Sequence, residues 1–321
     1  MFFFSQPSII DYINKHYVPV VGDDWYQRRR TDAEGIFFTG LHKQAPHTTP
    51  DGWSRQGLYT LTPDGRLLSF TNTWKMKPFM EYLHGGVASW NKLPPEQREP
   101  QHFHIEALPQ NALDPDYVRT PPEGGSILKV YTRILEHDEN GALQICREQG
   151  EKAWGTHAAM DHYWMTRTEV RSLFTEETAP FALPEKLAVR LMKHNFVDNT
   201  RGEPTRWELD EMVNHRFTSN VLFADNAGNT TYALSGSVLL QTSDNQRGYK
   251  ADFYGTYTHN IDWQLTDFKM TVVGDHWGDG KYTPHSRPGS APLGIAFHLV
   301  DGTKAEDRLP PQGIRKPERY W

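Results

Sequence analysis

The longest regular pattern of hydrophobic and polar positions lies after Asn214. One run, from Thr231 to Leu240, alternates Tyr232, Leu234, Gly236, Val238 and Leu240 with Thr231, Ala233, Ser235 and Ser237. Because successive side chains of a strand point to opposite faces, this alternation predicts strands with one buried face. Four such runs before Trp277, and a fifth in PLGIAFHLVDG, predict an antiparallel β domain.

Helical spacing and turn signals occupy the first ninety residues. Apolar residues between Ile9 and Tyr17 recur at helical intervals, with Pro7 in the first turn. YVPVVGDD then predicts a short buried strand, and QGLYTLTPDGRLLSF predicts two strands joined by a Pro-Asp-Gly turn. KPFMEYLHGGVASWNKL predicts a helix interrupted by Gly85 and Gly86.

The middle of the chain contains a proline-rich stretch and then a hairpin. Proline clusters favour irregular connections, so we interpret this stretch as a linker. The hairpin SILKVYTRILE-DENG-ALQICRE follows, and the capping boxes that begin at Thr166 and Thr205 predict helices beyond it. The predicted domains are residues 1–92, the linker 93–125, and a β-rich domain 126–321 with a helical insertion at about 157–213.

The predicted fold class is therefore α+β. A small α/β module precedes a larger antiparallel β domain, whose curved sheet or partial barrel has helices packed against it.

Composition and charge narrow the classes of partner. The 321 residues carry a net charge of −6, which provides no basic face for nucleic acid. Cys146 is the single cysteine, so the chain has no intramolecular disulfide, and we expect this thiol to pack on a strand. No apolar run is long enough to span a membrane, and MFFFSQPSII lacks the basic start of a signal peptide. We expect a cytoplasmic protein whose native N-terminus could lie before Met1.

Two segments carry a resemblance to a known family. FSQPSIIDYINKHYVPVVGDD resembles the helix and central strand of a thioredoxin-like domain, and GLYTLTPDGRLL resembles its later hairpin. The resemblance covers residues 1 to about 90. It implies an α/β module, but the C-x-x-C dithiol of the family would lie before Phe4, and the cis-proline position falls near Gln56. The resemblance therefore implies a degenerate, non-redox module joined to an uncharacterised β-rich domain.

The fifteen histidines make metal binding a hypothesis to test. QHFHIEAL places His102, His104 and Glu106 at a period of two, so a strand would project all three from one face. Two imidazoles and a carboxylate could then bind one divalent cation. The alternative is an extended linker whose histidines pack or face solvent.

Two Asp-His pairs offer similar ligands. In HAAMDH, His157 and Asp161 are four residues apart, which is one face of a helix, and His162 is adjacent. GDHWGDG places Asp275 and His276 in a glycine-rich turn after a strand. Such donors could hold a divalent metal whose bound water would serve a hydrolase. Alternatively, the aspartates cap turns, and the aspartate and histidine of each pair hydrogen-bond to each other.

Two functional classes remain open. G-x-S-x-G, H-E-x-x-H and the phosphate-binding glycine loops are absent, so no cofactor is implied beyond a divalent metal. We favour a non-redox binding or accessory protein whose β domain holds a small-molecule ligand or a protein partner. The alternative is a metal-dependent hydrolase, or a metal-dependent oxidative enzyme, that uses the His/Asp cluster.

Overall fold

The chain divides into two compact units, Met1–Val118 and Arg119–Trp321. The division falls inside the proline-rich stretch. A computed structural model describes residues 4, 6–46, 54–73, 75–99, 112–146, 158–175 and 179–321.

The first unit combines helices with a two-stranded antiparallel sheet. Its described elements are α1 (Pro7–His16), α2 (Asp24–Gln27), α3 (Ala33–Gln44), β1 (Leu58–Leu61), β2 (Leu67–Thr71), α4 (Met76–Asn91) and a 3-10 turn (Pro95–Gln97). Asp23 and Asp32 begin α2 and α3, because each side chain accepts a backbone N–H of the first turn. Ile9 of α1 packs with Phe79 and Leu83 of α4 in a small core.

The prediction of a strand in YVPVVGDD is wrong. Residues 17–23 form neither helix nor strand, and Val18, Val20 and Val21 are 89%, 86% and 99% exposed. The two strands of this unit pair only with each other in the described residues, so this segment has no strand to join. Pro19 also lacks the N–H that a ladder requires.

The predicted interruption of α4 is also wrong, since the helix is continuous from Met76 to Asn91. A Cβ on Gly86 would lie 2.6 Å from the Thr60 hydroxyl. Glycine therefore allows α4 to approach β1 closely, and this packing offsets the low helix propensity of glycine.

The second unit is built around one large antiparallel sheet. Its strands are β3 (Ser126–His137), β4 (Leu143–Ile145), β5 (Ala158–Met165), β6 (Phe181–Ala182), β7 (Met212–Ala224), β8 (Thr230–Gln241), β9 (Gly248–His259), β10 (Leu265–Trp277) and β11 (Ser290–Val300). Its helices are α5 (Arg167–Arg171), α6 (Glu185–Asn195) and α7 (Pro317–Tyr320), with 3-10 turns at Leu209–Glu211, Ala305–Arg308 and Gln312–Arg315. The strand order is β4-β3-β11-β10-β9-β8-β7-β6, and β5 pairs with β3 beside β4. This architecture confirms the α+β class with a larger antiparallel domain.

The inner face of the sheet is the face that bears the hydrophobic core. On β8 the alternating residues Tyr232, Leu234, Val238 and Leu240 are buried, as the pattern predicts. Leu187, Leu191 and Met192, on one side of α6, join the same core cluster. Helix α6 and aromatic side chains therefore fill the inner face, and a ligand site must be sought elsewhere in this unit.

The predicted helical insertion differs from the structure in two places. The segment Ala158–Met165 is β5 rather than helix, because it pairs with eight residues of β3. Thr166 and Glu169 form the predicted capping box and begin α5. The second predicted box does not begin an α-helix: Glu208 and Glu211 cap each other around a 3-10 turn instead.

The C-terminal segment, residues 301–321, binds to the edge of β5 that faces away from β3. The Trp164 N–H donates to the Tyr320 hydroxyl at 2.9 Å, and the Gln312 N–H donates to the Asp161 carboxylate at 3.0 Å. Arg190 of α6 lies over the Tyr320 ring, 4.8 Å from its centroid. Among the residues that the structure describes, no strand pairs with this edge, and side chains bond to its polar groups instead.

We expect Tyr320→Phe to lower the free energy of unfolding by about 1–3 kcal/mol, because the buried Trp164 N–H loses its acceptor. Urea unfolding at neutral pH, followed by tryptophan fluorescence, measures the change. Tyr254→Phe is the matched control, since Tyr254 is 61% exposed on β9. Equal losses in the two variants would show that the Tyr320 hydroxyl does not stabilise this edge.

Candidate ligand-binding site

The first Asp-His pair is split between the two faces of β5. Asp161 is the register partner of Val130, which belongs to the core, so Asp161 points to the inner face. Its carboxylate accepts the N–H groups of His162 and Gln312, at 2.7 and 3.0 Å. Burial nevertheless raises the pKa of Asp161 to about 6.

His162 points to the opposite face and is only 2% exposed. Its cross-strand partner Lys129 forms a 2.6 Å ion pair with Asp307 of the C-terminal segment. Burial and the Lys129 charge lower the pKa of His162 to about 4, while Asp307 acts in the opposite direction. The His162 imidazole therefore lies beside the Lys129–Asp307 ion pair, whereas Asp161 lies on the opposite face of β5.

The second Asp-His pair is split in the same way. Asp275 is exposed and lies opposite Lys250 of β9. His276 turns to the inner face beside Tyr249. Burial lowers the pKa of His276 to about 4, against the opposing charge of Asp198.

The two pairs lie far apart on the sheet. The register row of Asp161 runs through Val130 and Phe297 to Met270. His276 lies six residues beyond Met270 on β10. Six residues of strand span about 20 Å, and the three strand spacings from β5 to β10 add a lateral separation of about 14 Å. The Asp-His pairs are therefore two separate features.

No group of three or more potential ligands among the described ranges could hold a metal ion. Asp161, His162, Asp275 and His276 accordingly do not assemble the predicted cluster. The other predicted ligands, His102, His104, Glu106 and His157, lie outside the described residues. The metal hypothesis for those four stays a prediction.

Arg201 anchors the GDHWGDG turn. Its Nε donates to the buried Asp198 carboxylate at 2.6 Å, and its Nη1 donates to the Thr283 carbonyl at 2.6 Å. Nη1 also contacts the Asp279 carboxylate at 3.1 Å, while Nη2 donates to the Gly278 carbonyl at 3.2 Å. One guanidinium thus holds both sides of this turn, which favours the interpretation of its aspartates as structural anchors.

A small cavity lies beside this anchor. Its volume is about 10 Å³, and its lining includes Asp198, Arg201, His276, Ser286 and Arg287. A cavity of this size accommodates about one water molecule. His276 therefore has room for a water but not for a substrate.

A larger groove of about 740 Å³ lies near the same turn, and we call it the Trp277 groove. Its lining comprises Leu239, Gln241, Asn245, Gln246, Lys250, Trp277, Gly278, Ser286, Arg287, Pro288, Gly289 and Ser290. The pairing of β8 to β11 brings these residues together, because Gln241, Gly248, Trp277 and Ser290 form one cross-strand row. The groove and the small cavity share Ser286 and Arg287.

The indole of Trp277 has a fixed orientation. Its Nε1 donates to the Asn245 carbonyl at 3.2 Å. A Cβ on Gly248 would lie 2.0 Å from the ring, so the indole rests directly on this glycine. Gly278 has a φ of +81°, a left-handed conformation that permits the sharp turn after Trp277. The strand, the turn and the hydrogen bond together hold the indole in place at the groove.

Two cations give the groove its charge. Lys250 lies on β9, diagonally across from Trp277 in the strand register. Among the described contacts, Arg287 donates Nη1 to the Leu135 carbonyl at 2.5 Å and Nη2 to the Pro292 carbonyl at 2.6 Å. A guanidinium has five N–H donors, so these two bonds fix its plane and account for two of the five.

Comparison with family models, curated proteins and solved structures finds no match to this chain. Within the described ranges, no helix combines the length and the apolar character needed to cross a membrane.

The motif GDHWGDG contains Trp277, but sequence reasoning selected only Asp275 and His276 from it. Sequence reasoning missed Gln241, Lys250 and Arg287 altogether. One signal was available, since the alternation that buries Leu240 also assigns Gln241 to the opposite face. Nothing in the sequence indicates that Arg287, from a proline-glycine loop, lines the same groove.

Proposed function

We propose that the protein is a non-redox binding protein whose second unit binds a polar small molecule in the Trp277 groove. The observation that carries the proposal is the groove itself, a cleft of about 740 Å³. Ligand pockets commonly measure about 300–1,000 Å³ and combine an aromatic surface with a few polar groups. The Trp277 groove has a comparable volume and combines one tryptophan with several polar groups, and it is open to solvent, so a ligand would lie along it rather than be enclosed.

The chemistry of the lining favours binding over catalysis. The lining residues include no histidine, aspartate, glutamate or cysteine. General acid-base catalysis needs a titratable group within hydrogen-bond reach of the reacting atom, and nucleophilic catalysis usually needs a base beside the nucleophile. The titratable side chains of His276 and Asp198 line the one-water cavity instead.

The rigidity of the groove supports the same function. Its floor consists of adjacent strands, and the indole of Trp277 is held from below by Gly248 and at its edge by Asn245. The lining residues on strands keep their geometry better than those in the loops at 245–246 and 286–289, which reduces the entropy lost when a ligand contacts the strand residues.

A thermal-shift screen of sugars, sugar acids, amino acids and nucleotides would identify ligands, because a molecule that binds only the folded state raises its melting temperature. We expect Trp277→Ala to weaken the affinity of any such ligand at least tenfold in calorimetric titration. Tyr254→Ala, which removes an exposed aromatic ring from the same face of β9, is the matched control. Ligands that bind wild type and Trp277→Ala equally would contradict the proposal, as would a screen without ligands.

A further inference from the structure

Six side chains of the Trp277 groove specify the ligand in more detail. The floor presents one aromatic surface, and the rim presents amide groups from Gln241, Asn245 and Gln246. Lys250 and Arg287 add two positive charges. No acidic residue lines the groove itself, although Asp275 lies across the strand register from Lys250 and Asp198 lines the small cavity together with Arg287.

The orientation of the indole favours a ligand that stacks. One ring face of Trp277 rests on Gly248, and the ring N–H is committed to the Asn245 carbonyl. Trp277 can therefore offer its opposite face but no hydrogen bond. The negative face of an aromatic ring attracts polarised C–H groups, which a pyranose ring presents on one side.

The amides around the rim suit a hydroxyl-rich molecule. Each glutamine or asparagine side chain offers both donors and an acceptor. A hydroxyl group donates one hydrogen bond and accepts others, so neighbouring hydroxyls can be matched by a single amide. Gln241 occupies the same cross-strand row as Trp277, which places an amide beside the indole.

The two cations suit a carboxylate. Arg287 has its plane fixed by the Leu135 and Pro292 carbonyls, and its remaining N–H donors can form charge-assisted hydrogen bonds with carboxylate oxygens. Lys250 lies diagonally across from Trp277, a separation of about 7–8 Å between Cα atoms. A stacked ring could thus direct an acidic substituent toward Lys250.

We propose that the ligand of the Trp277 groove is an acidic saccharide, an inference that rests on the proposed function. Its uronic acid ring stacks on Trp277, its hydroxyls bind the rim amides, and its carboxylate binds Lys250 and Arg287. A nucleotide is the competing ligand, because bases also stack on aromatic rings. The groove lining contains one aromatic residue and no phosphate-binding glycine loop, which favours the saccharide.

Calorimetric titration of the full chain with uronic acid oligosaccharides tests the proposal. The probes are oligogalacturonate, alginate and hyaluronan fragments, together with the methyl ester of oligogalacturonate. We expect at least one acid to bind, its affinity to fall with added salt, and methyl esterification of oligogalacturonate to weaken its binding at least tenfold. Lys250→Met should weaken binding at least fivefold, whereas Lys269→Met, on the same face of β10 and with a 71% exposed side chain, should leave it unchanged.

The outcomes separate the two proposals. If neutral sugars or nucleotides bind in a Trp277-dependent manner while every uronic acid fails, the acidic-saccharide proposal is overturned and the binding function stands. If a uronic acid binds but Trp277→Ala and Lys250→Met leave its affinity unchanged, the site lies elsewhere and both proposals fail. If the ester and the acid bind equally well, the carboxylate is not recognised and the ligand class is wrong.

Discussion

Arg201→Met is expected to lower the free energy of unfolding by about 3–5 kcal/mol. The Arg201 side chain is only 4% exposed and pairs with Asp198, which is equally enclosed. Burial opposes ionisation of Asp198, but the Arg201 charge, followed by His276 and the Thr200 hydrogen bond, outweighs it and holds the pKa of that carboxyl below its usual value. Without Arg201, a buried carboxylate is left without its counter-charge, and the GDHWGDG turn loses its bonds to Thr283 and Gly278.

Urea unfolding at neutral pH measures this loss. Arg216→Met is the matched control, since Arg216 is exposed on β7 and should change stability by less than about 0.5 kcal/mol. The double variant Arg201→Met/Asp198→Asn should recover part of the stability, because it removes the uncompensated charge. A loss below about 1 kcal/mol for Arg201→Met would show that the turn does not depend on this anchor.

Stability is expected to fall steeply as the pH drops from about 6.5 to 4. Burial lowers the pKa of His162, His194 and His276 to about 4, 3 and 4, from 6.5. Between these values the unfolded chain binds more protons than the folded chain, so acid favours unfolding. Each histidine contributes on the order of 2–3 kcal/mol to the loss by about pH 4.5.

Asp161 acts in the opposite direction. Its folded pKa of about 6 exceeds 3.8, so its protonation as the pH falls through 6 favours the folded state. The offset is about 2 kcal/mol, which is smaller than the combined effect of the histidines.

Unfolding free energies measured from pH 7.5 to 4.5 test this expectation. His194→Leu should reduce the slope of stability against pH by about one proton within this window, because it removes one of the three titrating groups. His137→Gln is the control, since His137 is exposed at the end of β3 and should leave the slope unchanged. A slope that is the same in His194→Leu as in wild type would contradict the assignment of His194 as a buried neutral imidazole.

The sequence predicted those strands and helices that are determined by residues close together in the chain. The alternation in β8 and the capping box of Thr166 and Glu169 depend on neighbouring residues, and both occur as predicted. The segment AAMDHYWM carries no comparable local preference, and its pairing with β3 decides that it is a strand. The exposed valines of residues 17–23 show the converse, because strand propensity without a partner strand produces no strand.

The candidate site depended on contacts that no single segment contains. The motif GDHWGDG was singled out for its aspartate and histidine, yet strand geometry sends Asp275 and His276 to opposite faces. The residue of the motif that lines the groove is Trp277, whose ring packs against Gly248 of the next strand. Lys250 and Arg287 reach the same groove only through the register of β9, β10 and β11.

The attachment of the C-terminal segment to β5 also governs how copies of this chain can associate. An uncovered edge strand presents a row of free N–H and C=O groups, which is a template for a strand from another molecule. The Tyr320 hydroxyl accepts the Trp164 N–H of this edge, and the Gln312 N–H donates to the Asp161 carboxylate of the same strand. The Arg190 guanidinium packs over the Tyr320 ring. Detachment of residues 301–321 would expose this edge, together with the Ile127 and Trp164 side chains that pack against Ile314 and Tyr320. The segment therefore blocks the addition of a strand from another molecule at this edge of β5.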